Sequence, residues 1–307
     1  MKEQSRARIA LVTLASKDYF PGAKKLFESI KAHTKSEDYS CILLSNETSS
    51  RDYFGSLFDE IVELPVLVDS IVSSENVPRF RFTLHKLFVL EFLDFSHFDR
   101  VVFFDSDLMC LSSLDYLFEP ELNDFDLLAV RDFACNQYYS KEIAKLNLDS
   151  GQIFNSGCFI LNRRILTTLN YQDLTSLVSN SDISYDGGDQ GYFNYIVQNS
   201  NLAFGQLPLK FNYPLDTNYP RIWRAPALVH FSGSKPWDSA HSIHKWDRAF
   251  YRLWGKGQEV SWSQNSLFAH PNVLWWFRNV QVVMHKIDVT FRLTCIQTKK
   301  RWRRSAI

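Results

Sequence analysis

The sequence predicts an α/β protein: a mainly parallel central sheet flanked by helices, followed by a helical C-terminal appendage. Three observations carry this. Short apolar runs alternate with segments of helical apolar spacing, the order that builds parallel sheets. The 307 residues, 45% of them hydrophobic, can bury a full-sized core. One apolar run, Val101-Val102-Phe103-Phe104, ends in two carboxylates, Asp105 and Asp107, flanking Ser106. In open α/β sheets ligands bind at that carboxyl edge of the strands. The core is expected to span 8–250 and the appendage 251–307.

The elements follow in order. Residues 9–14 read as the first strand. Tyr19-Phe20-Pro21-Gly22 reads as a turn, and 23–31 as a helix with Ala23, Leu26, Phe27 and Ile30 on one face. A second strand is expected at 41–44, a helix at 52–57 and a third strand at 60–64. Leu84, Leu87, Phe88 and Phe92 share one face of a helix over 83–92. After the 101–104 strand, further sheet strands are expected at 127–130 and 158–161. Gly187-Gly188-Asp189-Gln190 opens a helix carrying Tyr192, Phe193, Ile196 and Val197, and 227–230 is a last short strand ending in His230.

Composition excludes several classes. Formal net charge is +0, which gives no electrostatic footprint for nucleic acid. The 5 cysteines are scattered without C-x-x-C spacing, so neither a disulfide framework nor a zinc site is expected, and a reducing, cytoplasmic compartment fits. Lys2, Arg6 and Arg8 precede an apolar stretch that Lys17-Asp18 cut short, a first strand rather than a signal peptide. No apolar run is long enough to cross a bilayer.

Two carboxylates one residue apart at a strand end, with no basic neighbour in sequence, call for a cation. Oxygen donors favour magnesium or manganese. Three later segments extend the site. Phe154-Asn155-Ser156-Gly157 offers small and amide-bearing residues before an apolar strand. In Gly187-Gly188-Asp189-Gln190-Gly191, Asp189 is equally well a helix cap, whereas the Gln190 amide can orient a sugar hydroxyl. In His230-Phe231-Ser232-Gly233-Ser234-Lys235-Pro236-Trp237, His230 can complete a metal site, Gly233 permits close approach and Lys235 suits phosphate.

These segments, in this order over about residues 8–240, resemble the retaining glycosyltransferases of family 8. The resemblance implies a GT-A, Rossmann-like fold for 8–250, a UDP-hexose donor and a manganese or magnesium ion. It makes Asp105, Asp107 and His230 the metal ligands, counts Ser106 among the donor-binding residues, and places Gly233 and Lys235 at the donor diphosphate. Lys86 would contact donor phosphate or sugar, and Thr13 and Tyr19 would cradle uracil and ribose. Asp132, Asn155, Asp189 and Gln190 would surround the transferred sugar. Front-side attack and a covalent route through Asp189 or Gln190 both remain open. The connector Tyr213-Pro214-Leu215-Asp216-Thr217-Asn218-Tyr219 differs from the tyrosine segment of the glycogenin branch, so self-glycosylation is not expected.

Phe277, Val280, Met284, Ile287 and Phe291 share a helical face, and Lys299, Lys300, Arg301, Arg303 and Arg304 close the chain. This reads as an amphipathic, basic element for the inner face of a membrane, in keeping with a lipopolysaccharide or other lipid-linked or cell-surface glycan as acceptor. The competing readings are a glycogenin-like or galactinol-synthase-like transferase, a non-catalytic nucleotide-sugar or glycan-binding protein, and a metal hydrolase.

Overall fold

A computed structural model describes residues 8–35, 39–64, 82–93, 97–134, 144–145, 147–167, 176, 189–215, 226–232, 235–237 and 254. Among them the strands are β1 (Ile9–Leu14), β2 (Tyr39–Ser45), β3 (Glu60–Glu63), β4 (Arg100–Asp105), β5 (Leu108–Cys110), β6 (Leu127–Arg131), β7 (Phe154–Asn162), β8 (Phe204–Leu207), β9 (Tyr213–Pro214) and β10 (Leu228–His230). The α-helices are α1 (Phe20–His33), α2 (Ser50–Phe54), α3 (Val89–Phe92) and α4 (Asp189–Asn199). A seven-stranded sheet runs β3-β2-β1-β4-β7-β6-β8, and a second sheet runs β5-β10-β9. Pairings β3-β2, β2-β1, β1-β4 and β6-β8 are parallel. Strand β7 runs antiparallel to both β4 and β6.

The central strands are buried on both faces, which is why they read as continuous apolar runs. Successive side chains go to opposite cores. Val12, Val101 and Phe103 pack with Leu84, Leu87 and Phe193 on one face. Leu11, Val102 and Phe104 pack with Leu26, Phe27 and Ile30 of α1 on the other. Arg100 locks the start of β4. It is fully buried, and its guanidinium donates to the Leu117 carbonyl (2.6 Å), the Asn123 Oδ1 (2.6 Å) and the Asn162 Oδ1 (2.9 Å). The functional end of β4 is therefore the other one.

Several elements differ from the sequence expectation. The segment 19–22 is no turn: a 3-10 turn, Lys17–Tyr19, runs straight into α1. Pro21 fits the first helical turn because an N–H there has no intrahelical acceptor. Residues 82–88 form a 3-10 helix before α3. Residues 154–157 lie inside β7, where a register shift between Ala129 and Val130 of β6 accommodates them. Strands β5, β8 and β9 are too short to show a period in the sequence.

The chain divides into two compact units, Met1–Pro214 with Pro226–Gly233, and Leu215–Ala225 with Ser234–Ile307. In the second, Trp237 and Trp254 rings pack at 5.2 Å. The boundary expected at 250, the glycines 187, 188 and 233, Tyr219, and the C-terminal helix and basic tail lie outside the described residues. No helix among the described residues is long and apolar enough to cross a membrane.

Candidate active site

The chain leaves the main sheet between the two aspartates. Asp105 is the last residue of β4, Ser106 and Asp107 form the turn, and β5 departs to pair antiparallel with β10. That pairing sets His230 opposite Leu108, and the Phe231 amide donates to the Asp107 carbonyl at 3.0 Å. Two distant segments thus converge through ordinary strand pairing. His230 Nε2 stands 3.1 Å from Asp107 Oδ1 and 3.9 Å from Asp105 Oδ2. One ligand atom from each of the three residues lies within 4.8 Å of the others.

The buried Lys86 ammonium, delivered by the 3-10 helix, bridges Asp105 Oδ1 at 2.5 Å and Asp189 Oδ2 at 3.1 Å. Burial alone would lower its pKa, but Asp105 and Asp189 outweigh that and hold it above the ordinary value. Burial pushes the Asp105 carboxyl up; Lys86 opposes the shift and Asp107 adds to it. Two carboxylates, Asp105 and Asp189, share this one ammonium, and a third, Asp107, stands against His230. Such a gathering of carboxylate oxygens suits a divalent cation. The donor set fits one as well: about 3 Å is the separation of adjacent ligands around an octahedral ion with bonds of about 2.1 Å, and Asp107 Oδ1 and His230 Nε2 already have it.

A polar wall continues from Asp189. Ser156 Oγ donates to Asp189 Oδ2 (2.7 Å), and the Ser156 amide to Gln190 Oε1 (3.3 Å). Gln190 Nε2 donates to Asp132 Oδ2 (2.9 Å), whose other oxygen accepts the Ala134 amide. Asn194, fully buried, fixes α4 against β7: its amide donates to the Phe154 carbonyl and its Oδ1 accepts the Phe154 N–H, both at 2.9 Å. Asp189 and Gln190 therefore face β7 rather than solvent.

The residues expected from the sequence are largely brought together. Lys86, Asp105, Asp107, Asp132, Asn155, Asp189, Gln190 and His230 form one linked cluster, with Ser106 buried in the turn between the aspartates. Thr13 lies on the neighbouring strand, fully buried, and its hydroxyl donates to the Phe104 carbonyl at 2.8 Å. Tyr19 is exposed at the end of the turn after β1. Lys235 belongs to the second unit, half-buried. Sequence reasoning missed Asn212, Asn194 and the part Ser156 plays at Asp189. Asn212 directly precedes β9, and no local pattern marks it as facing His230.

Residues 10–241, most of the chain, match Glycosyl transferase family 8. The chain belongs to that family. The sequence resemblance predicted that family. Glycogenin-1 of Mus musculus is 30% identical over 285 residues, covering 87% of this chain and 74% of that protein. Glycogenin of Komagataella phaffii is 26% identical over 247 residues, covering 71% of this chain and 55% of that protein. The chain thus spans about half the length of the yeast relative. Among solved structures, galactosyltransferase LgtC in complex with donor and acceptor sugar analogues matches with a TM-score of 0.62 at 17% identity, covering 80% of this chain and 95% of that one. Mouse xyloside xylosyltransferase 1 matches at 0.56, also with 17% identity, covering 73% and 97%. At that identity the likeness establishes the GT-A fold.

Proposed function

We propose that this family 8 member is a metal-dependent retaining transferase that moves a hexose from a UDP-sugar to a glycan acceptor. The observation that carries the reading is the convergence of Asp105, Asp107 and His230 beside the buried Lys86–Asp189 pair. In it, Asp105, Asp107 and His230 would hold manganese or magnesium, which would supply Lewis-acid neutralisation of the diphosphate leaving group. Lys86 contributes a fixed positive charge at the same edge, pre-organised by two carboxylates and needing no rearrangement during reaction. Asp189, paired with Lys86 and accepting from the Ser156 hydroxyl, faces the positive charge that develops at the anomeric carbon. Gln190, oriented by Asp132 and the Ser156 amide, positions the sugar. Gly233 and Lys235 are assigned to the diphosphate, and Thr13 and Tyr19 to the nucleoside, from the family motifs.

For the acceptor we propose a lipopolysaccharide or other cell-surface or lipid-linked glycan. The basic sequence Lys299-Lys300-Arg301-Trp302-Arg303-Arg304 would attract the chain to the inner face of an anionic membrane. A glycogenin-like reaction on Tyr213 is disfavoured by its burial, with 1% of its surface exposed.

The test is a panel of UDP-hexoses with purified protein and a lipid-linked glycan as acceptor, read as acceptor-dependent UDP release and as thermal shift. One UDP-hexose should raise the melting temperature and release UDP only when Mn2+ or Mg2+ is supplied; at about 100 times its Kd it should add about 2.7 kcal/mol of stability. Equal turnover in a chelator would remove the metal from the account.

A further inference from the structure

The two nitrogens of His230 have different surroundings. Nε2 faces the aspartates, and Nδ1 lies 2.8 Å from Asn212 Oδ1. Asn212 is fully buried, and its Nδ2 donates to Asn155 Oδ1 at 2.7 Å. Asn155 Oδ1 also receives the Gly157 backbone N–H at 2.9 Å.

The polarity of this chain of bonds has a single starting point. A backbone N–H can only donate, so the Asn155 atom that meets it must be oxygen. The Asn212 atom that meets the same oxygen must then be the amide nitrogen. That turns the Asn212 oxygen toward His230, and two acceptors cannot share a bond, so Nδ1 must carry a proton. Nε2, 3.1 Å from Asp107 Oδ1, is then the nitrogen a cation would take, displacing any proton held there between the ring and the carboxylate. Gly157 serves twice: its N–H starts the series, and it leaves room for the ring. A Cβ on Gly157 would lie 2.5 Å from His230 Cε1 and 2.8 Å from Nδ1.

We propose that Asn212 is a positioning residue: with Asn155 and the Gly157 N–H it fixes the His230 ring with Nδ1 protonated and Nε2 aimed at the two aspartates. The proposal rests on Asp105, Asp107 and His230 being a cation site, and it gives Asn155 a task at the metal side of the pocket besides any contact with sugar. Such partners of ligating histidines orient the ring and raise its basicity.

Two measurements test it. In metal-free protein with 15N-labelled histidine, His230 is assigned by the loss of its signals in His230→Gln. The wild type should show a protonated Nδ1, and a bare Nδ1 overturns the proposal whatever the metal does. Mn2+ affinity is then titrated directly. Asn212→Ala should weaken it by about 10–100-fold, while Asn212→Asp, which keeps an acceptor for the Nδ1 proton but sets a second oxygen against Asn155 Oδ1, should recover part of the loss. Unchanged Mn2+ affinity in Asn212→Ala, with His230→Gln clearly weakened, overturns this proposal and leaves the cation site standing. Absence of Mn2+ binding by the wild type overturns both. Should Asn212→Ala fail to fold, the wild-type nitrogen spectrum and Asn212→Asp still decide.

Discussion

Lys86 shows how one residue can be both structural and functional. Its ammonium is nearly removed from solvent, and only Asp105 and Asp189 make that tolerable. Lys86→Met leaves two carboxylates facing each other without compensation. It should cost about 3–5 kcal/mol of stability, the usual result of removing one partner of a buried ion pair, and it should lower turnover at least about 100-fold, the scale of losing one pre-organised charge-stabilising group. Urea unfolding together with UDP release measures both. A variant of wild-type stability and rate would show that Lys86 is not the counter-charge of the site. The buried thiols set a second, independent residue-scale expectation. Burial pushes Cys41 and Cys110 up from 9.0 to about 12, and pushes Cys158 up as well. The folded state then binds more protons than the unfolded one between about pH 9 and 12. The stability this represents is complete below about 9 and is lost as pH rises through that window. The urea midpoint should fall between pH 8.5 and 10.5 on this account, and Cys41, Cys110 and Cys158 should resist a thiol reagent until the protein unfolds. Rapid native-state labelling of Cys158 would contradict it.

At the scale of elements, the site is made by three joints: the turn from β4 to β5, the pairing of β5 with β10, and the contact of α4 with β7. The last joint depends on Asn194. Asn194→Ala would strand the buried Phe154 N–H and carbonyl bonds it now satisfies, a cost of about 1–3 kcal/mol. Because α4 carries Asp189 and Gln190, kcat should fall more than Mn2+ affinity does. Equal losses in both would place the effect on the whole fold instead. These joints also explain what the sequence could reveal. Asp105, Asp107 and His230 were legible because each ends an apolar strand, so local pattern placed all three at a sheet edge. Lys86 and Asp132 were legible only by resemblance to family 8; Asn155, Asp189 and Gln190 stood out in their local segments and gained a role from the resemblance. Asn212 and Asn194 were not legible, because an amide signals its role only through a partner far along the chain. The strand expected at 158–161 in fact begins at Phe154, for a related reason. Its small residues suit close approach by His230 and Asp189, which sequence alone does not show, and β pairing overrode the local signal.

The first unit is built on a GT-A sheet whose parallel strands β1 and β4 direct their carboxyl ends to one edge, as the alternation of strands and helices predicted. The charge pattern of that edge is its distinguishing property. There Asp105, Asp107 and Asp189 gather around Lys86 and His230 in a largely buried cluster. A bound cation would be the largest local charge among them. Equilibrium titration of Mn2+ into the wild type and Asp107→Asn, with UDP release followed in the same samples, tests this most directly. The account predicts that the wild type binds one Mn2+ and releases UDP in proportion to occupancy, while Asp107→Asn stays folded, binds Mn2+ at least about 10-fold more weakly and loses turnover with it. A folded Asp107→Asn that keeps wild-type Mn2+ affinity and turnover would contradict it.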